Sequence, residues 1–114
     1  MTSPAVSRKP GEVLAELYAT LEKRRTADPN QSYVATLYSK GIDVILKKVG
    51  EEAAETIIAG KAPDDAALVY ELADLWFHTM VLMAARRVPL HAVTDELARR
   101  MGRSGLEEKA SRRH

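Results

Sequence analysis

The patterning of the chain predicts an all-α bundle of four to five helices. Apolar residues recur at three- and four-residue spacing through most of the sequence, the period of helices with one buried face. No run alternates apolar and polar residues as a strand would, and there is no internal repeat or low-complexity tract. Turn formers fall between the periodic segments, at Asp28-Pro29-Asn30, Gly41, Pro63 and Val88-Pro89. The 114 residues suffice for one domain and not for two. We divide them into a flexible tail over 1–10, a helical domain over 11–102 and a basic tail over 103–114.

The first helix, Gly11 to Arg25, aligns Val13, Leu14, Leu17, Tyr18 and Leu21 on one face. The stretch "TADPNQS" ends it, and Ser32 is placed to cap a short helix over Tyr33 to Lys40. Gly41 permits a bend into a second long helix, Ile42 to Ala59. Its inner stripe reads Ile42, Ile45, Leu46, Val49, Ala53, Thr56 and Ile57, with Gly60 as the stop. Pro63-Asp64-Asp65 opens a third, Asp65 to Arg87, apolar nearly all round: Leu68, Val69, Leu72, Leu75, Trp76, Phe77, Met80, Val81, Leu82 and Met83. A helix of that kind must be covered on most sides, and one small chain supplies few covering elements, so self-association is expected. Leu90, Val93, Leu97 and Met101 form a last short helix closed by Gly102.

Composition excludes several classes. No cysteine is present, which removes disulfides and thiolate metal sites and fits a reducing cytoplasm. Met1 to Pro10 holds no apolar run resembling a secretory signal. The most apolar stretch, Ala66 to Ala85, contains Glu71, Asp74 and His78, which argues against a membrane span. The net charge of +1 makes the whole chain no magnet for nucleic acid, although six of the last sixteen residues are basic (Arg99, Arg100, Arg103, Lys109, Arg112, Arg113) against Glu107 and Glu108. Such an end can meet phosphates or can be a frayed, soluble tail.

Two acidic groups carry the chemistry. In "KKVGEEAAE", Glu52 and Glu55 lie about 60° apart on one flank of the apolar stripe, with Lys48 one turn earlier on that flank. Glu51 and Lys47 point further toward solvent. Alone, this segment reads as a solvated face with Lys47/Glu51 and Lys48/Glu52 ion pairs. On the apolar helix, Glu71, Asp74 and His78 fall within about 60° of one another. Burying carboxylates there costs several kcal/mol unless cations compensate, and lysines or a divalent metal serve equally. Taken together, two helices each offering acids at i,i+3 favour a metal site. His78 reads as a hydrogen-bonded neighbour or substrate contact rather than a ligand. All-oxygen ligands suit Mg²⁺, or Mn²⁺, rather than Zn²⁺. No Glu-x-x-His is present, which disfavours a di-iron centre. A hard cation among lysines and arginines points to phosphate chemistry, and with no P-loop or Gly-rich fingerprint the phosphates must be held by metal and basic side chains.

The pattern Glu51-Glu52-x-x-Glu55 followed by Glu71-x-x-Asp74 resembles the E-E-x-x-E … E-x-x-D signature of the MazG-like all-α NTP pyrophosphatase superfamily. The surrounding "LYSKGIDVILKKVGEEAAETIIAGK", "VYELADLWFHTMVLMAARR" and "RSGLEEKASRR" resemble the phosphoribosyl-ATP pyrophosphatase family over about Leu14 to Arg113. The resemblance implies Mg²⁺-dependent hydrolysis of 1-(5-phosphoribosyl)-ATP to 1-(5-phosphoribosyl)-AMP and pyrophosphate, the second step of histidine biosynthesis. It implies an intertwined homodimer, metal ligation by Glu52, Glu55, Glu71 and Asp74, and a role for Glu51 in orienting or deprotonating water. Lys40, Lys47, Lys48, His78, Arg103 and Lys109 are the implied substrate or phosphate contacts. Val44 departs from the family pattern, where a lysine is expected, so Lys47 or Lys40 would compensate. The cysteine-ligated phosphoribosyl-AMP cyclohydrolase domain fused to many relatives is not expected here; that step would fall to a separate enzyme. Two other readings stay open from the residues: a house-cleaning pyrophosphatase for dUTP or non-standard NTPs, and a non-catalytic helical dimer with a nucleic-acid-binding tail. The basic-tail motif argues against the first, and the second predicts steeply salt-dependent nucleic-acid affinity with no metal requirement.

Overall fold

The computed structural model describes residues 8–102 and 105–112. Six helices follow one another without a strand among these residues: α1 (Pro10–Lys23), α2 (Tyr33–Lys40), α3 (Ile42–Lys61), α4 (Asp65–Ala85), α5 (Leu90–Met101) and α6 (Gly105–Ser111). A 3-10 turn over Arg24–Thr26 continues α1. The sixth helix lies within the segment read from the sequence as a tail.

Local chemistry sets most boundaries. Pro10 occupies the first turn of α1, where its missing N–H is no loss. Asp28 Oδ1 accepts from the Asn30 amide at 2.9 Å, closing the turn after α1. Ser32 Oγ accepts from the Ala35 amide at 3.1 Å and so caps α2. Asp64 does the same for α4, through the Ala66 amide at 2.9 Å. Gly41, at φ +102 and ψ 173, makes the bend between α2 and α3 in a region that residues with a Cβ rarely enter.

Two expected ends move. Gly60 does not stop α3, which runs on through Lys61; helical hydrogen bonding tolerates an interior glycine at a cost of about 1 kcal/mol. The helix expected to reach Arg87 ends at Ala85 instead. There the Arg87 amide bonds Ala84 O at 3.1 Å and the Val88 amide bonds Met83 O at 2.9 Å, a Schellman closure with Arg87 at φ +58.

The antiparallel hairpin of α3 and α4 is the largest helix pairing among the described residues, and α1 packs on α4. The core gathers Tyr18, Leu21, Val34, Leu37, Ile45, Met80, Val81, Met83 and Ala84. It therefore sits where the second half of α4 meets α1, α2 and the start of α3. Tyr38 donates to Leu21 O at 2.7 Å, and Tyr18 donates to Val88 O, tying α1, α2 and the end of α4 together.

Of the inner stripe read for α3 only one position is fully buried, with Val49, Ala53 and Thr56 half-buried. Ile45 is buried, whereas Ile42, Leu46 and Ile57 are exposed. On α4, Val69, Tyr70 and Trp76 are likewise exposed. A single chain buries the second half of α4 and leaves apolar side chains bare along the rest of the hairpin, most of all Ile57, Ile58, Val69 and Tyr70 near its loop. The radius of gyration, 16.6 Å, exceeds the roughly 13 Å of a compact chain this long.

Candidate functional site

The α3–α4 hairpin carries its acids near mid-length, between the core and the loop that joins the two helices. Glu52 is 6 % exposed although its helix has few other buried positions. One carboxylate oxygen each from Glu52, Glu55 and Glu71 lie within 4.8 Å of one another. Asp74 stands one turn further along α4, half-buried; it is not part of that triad among the described residues, although its charge reaches Glu71. Thr56 fastens the two helices here, its hydroxyl donating to Glu52 O at 2.8 Å and lying 3.4 Å from Glu71 O.

Protein groups do not satisfy the cluster. Glu52 Oε1 and Glu71 Oε1 are both buried without a hydrogen-bond partner, a costly arrangement for groups that accept only. Burial, a hydrogen bond shared with the Glu55 side chain, and the charges of Glu55, Asp74 and Glu52 push the Glu71 carboxyl above its ordinary range. A divalent cation fits this donor set: it would take up the unpartnered oxygens and offset the mutual repulsion of the carboxylates.

Lys48 borders the cluster. Its Nζ lies 3.7 Å from Glu52 Oε2 and 3.6 Å from Glu51 Oε1. Burial works to lower its pKa, but Tyr33, Glu51 and Glu52 outweigh this and hold the ammonium above its ordinary value. Glu51 therefore shares Lys48 rather than pairing with Lys47, and both Glu51 and Lys47 are exposed. Lys40 is exposed at the end of α2, and Lys109 is exposed on α6. Arg103 lies outside the described residues. Val44, where a lysine was expected, packs against the core.

His78 is buried, and both its ring nitrogens are engaged within the chain. Nδ1 lies 2.9 Å from Asp74 O, and Nε2 lies 2.9 Å from the Tyr33 hydroxyl. A carbonyl only accepts, so in the neutral ring Nδ1 carries the proton and Nε2 accepts from Tyr33. Tyr33 is 53 % exposed with its ring edge-on to His78, which sets an aromatic face beside the acids and Lys48. The sequence reading passed over Tyr33. Its signal is an exposed aromatic opening a short helix just after the cap, where it has no place in the core.

The family model for Phosphoribosyl-ATP pyrophosphohydrolase matches residues 14–101. The chain belongs to this family. It is 55 % identical over 102 residues to a phosphoribosyl-ATP pyrophosphatase of Methylococcus capsulatus, covering 90 % of this chain and 97 % of that one. Its counterpart in Novosphingobium aromaticivorans is 57 % identical, covering 90 % and 95 %. That of Neisseria gonorrhoeae is 54 % identical, covering 88 % and 94 %. Both acidic segments of this phosphoribosyl-ATP pyrophosphohydrolase family member lie inside the matched region, and α6 lies beyond it.

Proposed function

We propose that this chain hydrolyses 1-(5-phosphoribosyl)-ATP to 1-(5-phosphoribosyl)-AMP and pyrophosphate with Mg²⁺, the second step of histidine biosynthesis. The observation that carries this reading is the Glu52–Glu55–Glu71 triad, with two buried oxygens lacking partners, in a chain of this family. Glu52, Glu55 and Glu71 would hold the ion, with Asp74 as fourth ligand; when bound, the ion supplies neutralisation of phosphate charge and polarisation of the phosphorus under attack. Water adds to the α-phosphorus as the bond to the pyrophosphate oxygen breaks. Glu51, exposed beside Glu52 and paired with Lys48, is the proposed acceptor of the water's proton. Lys48 offers a cation at the edge of the acids for the departing pyrophosphate. His78, locked between Asp74 O and Tyr33, fixes the Tyr33 ring at the mouth. Lys40, Lys47, Arg103 and Lys109 are assigned to substrate phosphates, the latter two through the basic end of the chain.

A homodimer belongs to the same proposal. Exposed Val69, Tyr70 and Trp76 on α4, and a groove of about 350 Å³ between α1, α4 and α5 lined by Leu14, Trp76, Val93 and Leu97, are apolar surface that a second copy would bury. By length and composition alone α4 could cross a membrane. It also carries Glu71, Asp74 and buried His78, and a cytoplasmic enzyme is proposed.

The test is pyrophosphate release from phosphoribosyl-ATP by purified protein in Mg²⁺, set beside ATP, dUTP and a metal-free control. Turnover of phosphoribosyl-ATP alone, abolished by chelation, is expected. No release from that substrate, or equal release from dUTP, would sink the reading.

A further inference from the structure

At the end of the hairpin remote from its loop, beyond the acids, three arginines line one cleft. Arg25, Arg86 and Arg87 surround a space of about 470 Å³ with Tyr38, Gly41, Ile42, Ile45 and Ala85. No carboxylate lines it. Glu22, whose charge reaches Tyr18 and Tyr38, and Asp43, in the first turn of α3, are the nearby acids; both are exposed. Among the described residues none of the three guanidiniums pairs with a carboxylate.

One conventional role for these arginines is to satisfy the end of α4, and it accounts for only one of them. Arg25 Nη1 donates to Ala84 O at 2.7 Å. The carbonyls of Leu82, Met83 and Ala84 already receive the amides of Arg86, Val88 and Arg87, so the helix closes without help from the side chains of Arg86 and Arg87. Arg87 also stands at φ +58, where the closure favours glycine and a side chain costs about 1 kcal/mol. The same cleft receives the start of α3, a 20-residue helix whose N-cap, Gly41, offers no side-chain acceptor. Its first amides and dipole add a further preference for an anion. An ideal Cβ on Gly41 would meet nothing within 4 Å, so the approach is open.

We propose that this cleft is a phosphomonoester-binding site, reading a ribosyl 5-phosphate through Arg25, Arg86 and Arg87 at the N-terminus of α3. Guanidinium forks match phosphate oxygens, and Ile42, Ile45 and Ala85 give the sugar an apolar wall. The phosphate has two sources. It is the phosphoribosyl group of the substrate, which rests on the function proposed above, or that of a separate ligand. The cleft lies roughly 10 Å along α3 from Glu52 (measured from Ile45) and roughly 16 Å along α4 from Asp74 (measured from Ala85), at 1.5 Å per residue. A nucleotide with phosphates at both ends has that kind of reach, whereas ATP has phosphates at one end only.

The probe is ribose 5-phosphate, titrated calorimetrically into the full chain at low ionic strength without metal. Saturable binding is expected, weakened about tenfold by Arg86→Gln and by Arg87→Gly. The Tm of Arg87→Gly should stay level or rise, because its strained backbone is relieved; a merely structural arginine would not separate binding from stability in this way. Equal affinity in wild type and both variants, or no saturable binding by the wild type, overturns the proposal. In turnover, ribose 5-phosphate acting as a competitor of phosphoribosyl-ATP, with KM raised in both variants, supports the substrate as the source. Binding without competition supports a separate ligand. Binding by a wild type that turns over no phosphoribosyl-ATP supports the cleft while refuting the hydrolase reading, so the two fail separately.

Discussion

Replacing Glu52 by glutamine is the perturbation whose outcome the structure constrains most. Glu52 has a buried Oε1 with no partner, and its carboxylate shares a 4.8 Å cluster with Glu55 and Glu71. Burial and the neighbouring acids push the Glu71 carboxyl above its ordinary range, so the repulsion relieved is counted against one neighbouring carboxylate, that of Glu55. At 4.8 Å two unit charges repel by about 3.5 kcal/mol for an effective dielectric near 20. Glu55 is exposed, and solvent screening reduces this to about 1–2 kcal/mol. The variant also loses the 3.7 Å contact with Lys48, worth about 0.5 kcal/mol at a half-buried lysine. The net expectation for the metal-free protein is a gain of about 1 kcal/mol, or a rise in Tm of about 4–8 °C. In Mg²⁺ the order should reverse, because binding stabilises the wild type by mass action while the variant lacks a ligand. Pyrophosphate release should fall by at least about a hundredfold. The assay is a pair of thermal melts, in chelator and in Mg²⁺ at fixed protein concentration, beside turnover of phosphoribosyl-ATP. A metal-free variant melting below the wild type, with a wild-type Tm indifferent to Mg²⁺, would refute the reasoning, as would full turnover.

Glu71 gives a pH dependence of definite sign. Its folded pKa is raised, so its contribution to stability is fully present below the unfolded carboxylate range and is lost as pH rises through the raised value. The metal-free protein should therefore lose stability with rising pH across that window, and Mg²⁺ binding there should release a proton, detectable by calorimetry in buffers of different ionisation enthalpy. Gly41→Ala should destabilise by about 1–3 kcal/mol although the Cβ meets no atom, because φ +102 with ψ 173 is open essentially to glycine alone; urea denaturation measures it. Tyr33→Phe leaves His78 Nε2 without its partner, which should cost about 1 kcal/mol of stability and raise KM more than it lowers kcat. An unchanged KM would remove Tyr33 from the substrate's path.

Much of the fold was legible because helix periodicity and capping are local. Ser32 and Asp64 cap where their side chains predict, and Gly41 turns where only glycine turns easily. The misplaced ends have local causes of another kind. Gly60 is tolerated inside α3, and Arg87 occupies a left-handed position that sequence rules reserve for glycine. The acids of the candidate site were also legible, since i,i+3 spacing on two helices puts carboxylates on facing flanks. Spacing did not reveal which of the four converge. Glu52, Glu55 and Glu71 do, while Asp74 stands a turn away, because helix offset and tilt across the hairpin are set by packing at Ile45, Val81 and Ala84 rather than by the acids.

The sequence by itself determined an all-α chain, its helix order, its turn chemistry and a pair of acidic segments that had to be compensated. Those follow from backbone sterics and 3.6-residue periodicity, which act within a few neighbours. Only the tertiary structure decided that Lys48 serves both Glu51 and Glu52, that His78 has both nitrogens engaged, and that Tyr33 stands at the mouth of the acids. It also brought Arg25 from one end of α1 to Arg86 and Arg87 at the end of α4. Residues sixty positions apart meet through the burial of a shared core, and no local rule encodes that meeting.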